Sequence, residues 1–170
     1  MSEQAAAGVR VNVYGHGEAT VETGLPVLNR LLVRLAETAR FDLVLDIEPG
    51  DTEAEVEAAA AALGHAIAGP LRTDGARGYG AGVMISAEAL ASVALETSDE
   101  PLFVTNVDLT QARIGGLGTD VARRFLERLA EGAGLNLHVR LLNGTESQHV
   151  LEAIFKALGV ALAEACEQRS

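Results

Sequence analysis

Apolar residues recur at two different spacings along the first half of the chain. Alternation with a period of two predicts strands, because successive side chains of a strand point to opposite faces, whereas a period near 3.6 predicts amphipathic helices. The predicted strands are VRVNVYG (9–15) and FDLVLDI (41–47), and the predicted helices are PVLNRLLVRLAETA (26–39) and TEAEVEAAAAALGHAIA (52–68).

Local signals mark the starts of these helices. Pro26 suits a first helical turn, where its missing N–H is not needed for a helical hydrogen bond. Thr52 is a candidate N-cap residue, with Glu55 three positions later as its capping-box partner. The segment 69–80, which contains Gly, Pro and Arg residues, is predicted to be a loop.

The second half repeats this succession of patterns. The predicted strands are 83–97, 101–109 and 135–142, and the predicted helices are 119–133 and 146–166. The letters repeat as well: NRLLVRLAE (29–37) and RRFLERLAE (123–131) share six of nine residues at an offset of 94, and ALGHAIA (62–68) resembles ALGVALA (157–163) at an offset of 95. This alignment places Glu57 on Glu152.

Shared order, spacing and letters indicate an internal duplication. We therefore predict an α+β fold with two repeat halves, 1–80 and 81–170, in which helices cover strands and both halves form one compact domain.

Charge and composition exclude several classes of function. Thirteen Lys and Arg residues against twenty-four Asp and Glu residues give a net charge of −11, and no basic run interrupts it, so neither nucleic acid nor an anionic membrane is an expected partner. No apolar stretch reaches the length of a membrane span, and no signal peptide is recognised. The single cysteine, Cys166, suits a reducing compartment. We expect a cytoplasmic protein.

Several short motifs occur in a fixed order. They are TG-x-x-x-L (Thr23, Gly24, Leu28), ARFDL (39–43), EAL (88–90), RIG (113–115), NLHVR (136–140) and HVLEAIFKALG (149–159). Together they resemble the imidazoleglycerol-phosphate dehydratase family over nearly the whole chain. The resemblance implies a manganese-dependent hydro-lyase of histidine biosynthesis, with a four-stranded sheet and two helices in each half. It also implies trimers that assemble into a 24-subunit shell.

The resemblance further implies a metal site of six histidines and two glutamates, most of which this chain has replaced. The retained positions are Glu57, His149 and Glu152, and the replaced positions hold Arg30, Glu53, Ala54, Arg124 and Gln148. Lys156 matches a lysine that binds the substrate phosphate in the family, whereas Glu100 stands where the family has an arginine.

The two arginines at replaced positions are equivalent in the repeat. Arginine stays protonated and offers only hydrogen-bond donors, so it cannot ligate a divalent metal. We expect Arg30 and Arg124 to form ion pairs with Glu57 and Glu152 in place of metal–carboxylate bonds. The sequence leaves open which arginine meets which glutamate.

Two interpretations of the remaining polar residues stay open. His149 is either a metal ligand or a hydrogen-bonded histidine without that role, and Lys156 either binds phosphate or is solvated or ion-paired. The primary expectation is a divergent family member without ordinary di-manganese dehydratase activity and without a bound cofactor. It would act as a structural or regulatory oligomer, a trimer or a 24-subunit shell, with a functional dehydratase as a candidate partner. One alternative is a hydro-lyase with a remodelled site centred on His149, Glu152, Glu57 and Lys156, which acts on imidazoleglycerol phosphate or a related small phosphorylated metabolite. Another is a module that binds a small ligand in the cleft of the former active site.

Overall fold

The computed structural model describes residues 7–107, 113–114 and 117–168. Four helices and nine strands lie in this part of the chain. In chain order they are β1 (Ala7–Asn12), β2 (Ala19–Glu22), α1 (Pro26–Ala39), β3 (Asp42–Ile47), α2 (Thr52–Leu71), β4 (Tyr79–Ser86), β5 (Ala89–Thr97), β6 (Leu102–Thr105), β7 (Arg113–Ile114), β8 (Leu117–Gly118), α3 (Thr119–Ala133), β9 (Leu135–Asn143) and α4 (Ser147–Cys166).

The two larger sheets share one pairing pattern. In the first, with order β1-β3-β2, the central β3 runs antiparallel to β1 and parallel to β2. In the second, with order β4-β5-β9-β6, β9 runs antiparallel to β5 and parallel to β6. Helix α2 corresponds to α4 along its whole length at an offset of 95. The predicted α+β duplication is confirmed.

The first sheet has three strands among the described residues, where the resemblance implies four. The second sheet has its fourth strand because β4 forms a hairpin with β5. A counterpart of β4 in the first half would precede β1, where residues 1–6 lie outside the described part of the chain.

The predicted single strand 83–97 is wrong, because this segment is part of a hairpin. Strand β4 ends at Ser86 and β5 begins at Ala89, with Ala87 at a φ of 51° in the turn between them. No Gly or Pro marks this turn, so the apolar pattern passes through it without a break. The short strand β2 was not predicted either, because four residues give too little alternation.

Two boundaries near α2 also differ from the prediction. The predicted loop 69–80 is shorter, because α2 continues to Leu71 and β4 begins at Tyr79. Strand β6 covers only Leu102–Thr105 of the predicted strand 101–109, of which residues 108–109 lie outside the described part.

The N-cap residue of α2 is Asp51, whose side chain accepts a hydrogen bond of 2.8 Å from the backbone N–H of Ala54, so the assignment of Thr52 is wrong. Glu55 is 6% exposed and accepts from the backbone N–H of Gly50 at 3.0 Å instead of closing a capping box.

The helices pack between the halves in two pairs. Helix α1 lies against α4, and α2 lies against α3, so each pair joins one helix from each half. Leucine, alanine, valine and isoleucine fill most of the core, together with the rings of Phe125 and Phe155, whose centroids are 5.6 Å apart. Among the described residues, no helix combines the length and hydropathy needed to cross a membrane.

Strand β4 lies directly on α4 because its inward positions are glycines. A Cβ atom at Gly82 would lie 2.8 Å from Val160 Cβ, and one at Gly80 would lie 3.0 Å from the backbone nitrogen of Ala165. Both separations are shorter than ordinary contacts between non-bonded atoms, so only glycine permits this approach of strand and helix. This packing places the end of the β4–β5 hairpin beside the first turns of α4.

Candidate functional site

Glu152 on α4 is held by both of its carboxylate oxygens. Arg30 Nε, from α1, lies 3.7 Å from Glu152 Oε2. Ser86, at the end of β4, donates its Oγ hydrogen to Glu152 Oε1 at 3.2 Å. The glutamate side chain is only 17% exposed. A carboxylate in this position therefore has a cation and a hydroxyl donor from its own chain.

The equivalent place between α2 and α3 carries a larger network. Arg124 lies 3.5 Å from Glu53 Oε2 through one terminal nitrogen and 3.8 Å from Glu57 Oε2 through the other. Arg128 Nε lies 3.6 Å from the second oxygen of Glu57. These side chains are 39% to 68% exposed, so solvent screens the network more than it screens Glu152.

The pairing of these charges follows from the pairing of the helices. The first-half arginine meets the second-half glutamate, and the second-half arginine meets the first-half glutamate, because α1 packs on α4 and α2 packs on α3. The sequence left this assignment open. The separations of 3.5 to 3.8 Å exceed those of charge-assisted hydrogen bonds, so charge attraction and not bidentate bonding connects the groups.

His149 forms a short contact with a residue that the sequence analysis assigned to no site. Its Nδ1 lies 2.7 Å from Glu88 Oε1, and Glu88 occupies the turn between β4 and β5. The other oxygen of Glu88 accepts from the backbone N–H groups of Glu146 at 2.9 Å and Thr145 at 3.2 Å. Hydrogen bonds from Glu146, from Glu88's own N–H and from Thr145, followed by that from His149, lower the pKa of Glu88 to about 2.

Lys156 is engaged within the chain. Its Nζ donates to the backbone carbonyl oxygen of Ile85 at 2.7 Å. An ammonium group has three donors, so this bond leaves phosphate binding by Lys156 a prediction. Arg77 lies 3.7 Å from Glu167 and over the ring of Tyr79 at 4.7 Å. Lys156 and Arg77 therefore both have partners within the chain.

The remaining replaced positions lie at the two helix N-termini. Ala54 supplies the N–H that Asp51 caps, and Gln148 is exposed in the first turn of α4. Among the described residues of a single chain, no group of three or more His, Cys, Asp or Glu side chains could hold a metal ion. The described residues of one chain therefore do not complete a metal site by themselves.

Glu88 and Ser86 are site residues that sequence reasoning missed. Glu88 belongs to the EAL motif, which supported the resemblance but suggested no role. It is 61 positions from His149, so no local spacing connects the two residues. Only the hairpin turn brings them together.

Comparisons with known proteins decide the family. The family model described as Imidazoleglycerol-phosphate dehydratase matches residues 23–162. The chain belongs to this family. An imidazoleglycerol-phosphate dehydratase of Clostridium botulinum (strain Kyoto / Type A2) is 34% identical over 163 residues, which cover 93% of this chain and 83% of the relative. Another, of Pelobacter propionicus, is 36% identical over 157 residues, which cover 89% and 80%.

Solved structures show the same fold. The crystal structure of imidazoleglycerol-phosphate dehydratase from Staphylococcus aureus N315 has a TM-score of 0.89 and 23% identity, and the match covers 98% of this chain and 96% of that one. The Pyrococcus furiosus protein, crystallised in complex with (S)-C348, has a TM-score of 0.83 and 23% identity over 99% and 93%. The resemblance read from the motifs is confirmed.

Family membership corrects the expectation about cofactors. The expectation of no cofactor is wrong. The chain belongs to a family of manganese-dependent dehydratases, and this membership supports a metal cofactor. That expectation rested on the replaced histidines, but the imidazole of His149 and the carboxylates of Glu57 and Glu152 remain as possible ligands. In this structure Glu57 and Glu152 lie against arginines.

Proposed function

We propose that this member of the histidine-biosynthesis family has lost ordinary dehydratase turnover and acts as a structural or regulatory oligomer. One observation carries the proposal: Arg30 and Arg124, at two positions where the family has histidine, lie against Glu152 and Glu57. Each carboxylate then has a permanent positive charge as its neighbour. Dehydration needs stabilisation of charge that develops in the transition state, and these arginines direct their charge to side chains of the protein.

The phosphate side of the site supports the same conclusion. Lys156 donates to Ile85 O, and exposed Glu100 brings negative charge to a position where the family has an arginine. Catalytic groups that act as a unit lose most of their effect when several are removed. Loss of turnover is compatible with a metal bound to this chain.

A direct assay tests the proposal. The purified chain, saturated with Mn²⁺, is incubated with imidazoleglycerol phosphate beside the C. botulinum relative as a positive control. We expect product formation slower than that of the relative by at least about 10⁴-fold, equivalent to about 5.5 kcal/mol of transition-state stabilisation. Turnover within tenfold of the relative, or complementation of a histidine auxotroph, would refute the proposal.

A second candidate function is favoured by the contact between His149 and Glu88. A histidine whose Nδ1 faces a carboxylate is a common arrangement for a proton acceptor. In this candidate the chain is a hydro-lyase with a remodelled site around His149, Glu152 and Lys156. Slow dehydration that His149→Gln abolishes, with Arg34→Gln as a control, would favour this candidate over a structural role.

We also propose self-association. A trimer is the main expected species, because twenty-four chains at −11 each would concentrate negative charge on a shell. Light scattering should give the mass of three 17.7 kDa chains. Affinity purification of a tagged chain from cells that contain a complete dehydratase would show whether the two proteins associate in the cytoplasm, where we expect this protein to act.

A further inference from the structure

The N-terminus of α4 is capped by a residue from elsewhere in the chain. Glu146, its N-cap residue, makes no side-chain capping hydrogen bond, whereas the equivalent Asp51 caps α2. Glu88 supplies the missing acceptor: its Oε2 lies 2.9 Å from the backbone nitrogen of Glu146 and 3.2 Å from that of Thr145. This arrangement fixes one oxygen of the Glu88 carboxylate.

The second oxygen is then directed at His149, with a separation of 2.7 Å from Nδ1. One of the two atoms must carry the shared proton. Glu88 Oε2 accepts two backbone N–H hydrogen bonds, which favour the ionised carboxylate. An ionised carboxylate only accepts hydrogen bonds, so the proton lies on Nδ1.

We propose that Glu88 is a positioning residue that fixes neutral His149 as the Nδ1–H tautomer and so leaves the lone pair on Nε2. The second ring nitrogen sets the chemistry of the first, because only an unprotonated nitrogen can accept a proton or bind a divalent cation. The His149 side chain is 36% exposed, so solvent can reach the ring. This inference goes beyond the proposed function and holds whether or not turnover remains.

The surrounding backbone keeps the pair in place. The loop before α4 packs tightly on the hairpin, since a Cβ atom at Gly144 would lie 2.9 Å from Ala89 Cβ. Gly144 has a φ of 142°, which further favours glycine there. Glu88 and His149 thus belong to two segments that pack tightly against each other.

The variant Glu88→Gln distinguishes positioning from capping. The glutamine carbonyl oxygen can accept from the Thr145 and Glu146 N–H groups, which leaves the amide NH₂ facing His149. Because NH₂ is a donor, Nδ1 must then accept, and the proton moves to Nε2. The variant therefore keeps most of the cap but reverses the tautomer.

The readout is ¹⁵N NMR of histidine-labelled protein at a pH of about 8.5, two units above the ordinary histidine pKa of about 6.5. The chain has four histidines, and His149→Gln assigns the signal. We expect Nδ1–H in the wild type and Nε2–H in Glu88→Gln. Glu146→Gln is the matched control, because it removes one negative charge at the same helix end and should keep Nδ1–H.

Circular dichroism first confirms that each variant is folded. A wild-type protein with Nε2–H, or with an even mixture of tautomers, would overturn the inference. The same holds if Glu88→Gln lowers thermal stability but leaves the Nδ1–H tautomer unchanged, because Glu88 would then be a helix cap only.

Discussion

Arg30 Nε lies 3.7 Å from Glu152 Oε2 and connects the first helix of one half with the last helix of the other. The equivalent Arg124 reaches Glu57 in the opposite direction, at 3.8 Å. We propose that both pairs occupy positions that hold metal ligands in other members of the imidazoleglycerol-phosphate dehydratase family. In both halves, an arginine on one helix therefore faces a glutamate on the helix that packs against it.

Restoring the histidines should strengthen metal binding. The double variant Arg30→His and Arg124→His exchanges two cations for neutral imidazoles, which bind borderline divalent ions. We expect Mn²⁺ to bind at least about tenfold more tightly than to the wild type, or about 1.4 kcal/mol. Isothermal titration calorimetry measures this. Arg34→His, on α1 beside Glu37, is the control, and equal affinities for all three proteins would contradict the expectation.

The ion pairs themselves should contribute little to stability. Arg124 is 39% exposed and lies 3.5 Å or more from its carboxylate partners, and exposed pairs contribute about 0–1 kcal/mol each. Arg124→Gln should therefore lower the free energy of unfolding by less than about 1 kcal/mol, measured by urea denaturation. Arg123→Gln removes a neighbouring pair with Glu127 on the same helix and serves as the control. A loss above about 3 kcal/mol would indicate a buried, tightly coupled network instead.

Gly159 should be essential for packing of α1 on α4. A Cβ atom there would collide with Thr38 Oγ1 and the carbonyl oxygen of Leu35 and would lie 3.1 Å from the backbone nitrogen of Ala39. Gly159→Ala should cost about 1–3 kcal/mol of unfolding free energy through overpacking. Gly69→Ala is the matched helical control, because a Cβ there meets nothing within 4 Å. It should be neutral or stabilise by up to about 1 kcal/mol. Equal effects of both variants would contradict the tight helix contact.

Asp42 should make the stability of the first half depend on pH. Backbone N–H groups, first that of His16 and then that of Glu18, lower the pKa of Asp42 below its ordinary value of 3.8. A lowered carboxylate pKa stabilises the folded state above the ordinary value, and this contribution is lost as the pH falls below 3.8 toward the lowered value. Asp42→Asn should therefore reduce thermal stability at pH 7, and the difference from wild type should shrink in acid.

Unfolding temperatures measured from pH 7 down to pH 2 test this dependence. Asp46→Asn, four positions further along β3 at an exposed site, is the control. A difference between Asp42→Asn and wild type that stays constant over this range would show that charge on Asp42 does not support the turn at 16–18.

The local pattern of residues was enough to predict the helices and the duplication. Helix α1 spans 26–39 and α3 spans 119–133, as their period and the Pro26 signal indicated, because helical hydrogen bonds and amphipathic faces involve residues within one or two turns. The matching letters of the two halves likewise predicted their common topology. The family could also be recognised, because its motifs keep their order along the chain.

Tertiary structure decided the contacts that give the site its chemistry. The β4–β5 hairpin, the assignment of Arg30 to Glu152, and the contact of Glu88 with His149 depend on how distant segments pack. Two residues 61 positions apart leave no mark of their contact in local spacing. Gly80 and Gly82 are visible in the sequence, but only the position of α4 shows why a side chain there is excluded. Local interactions select elements, whereas the packing of elements selects which polar groups meet.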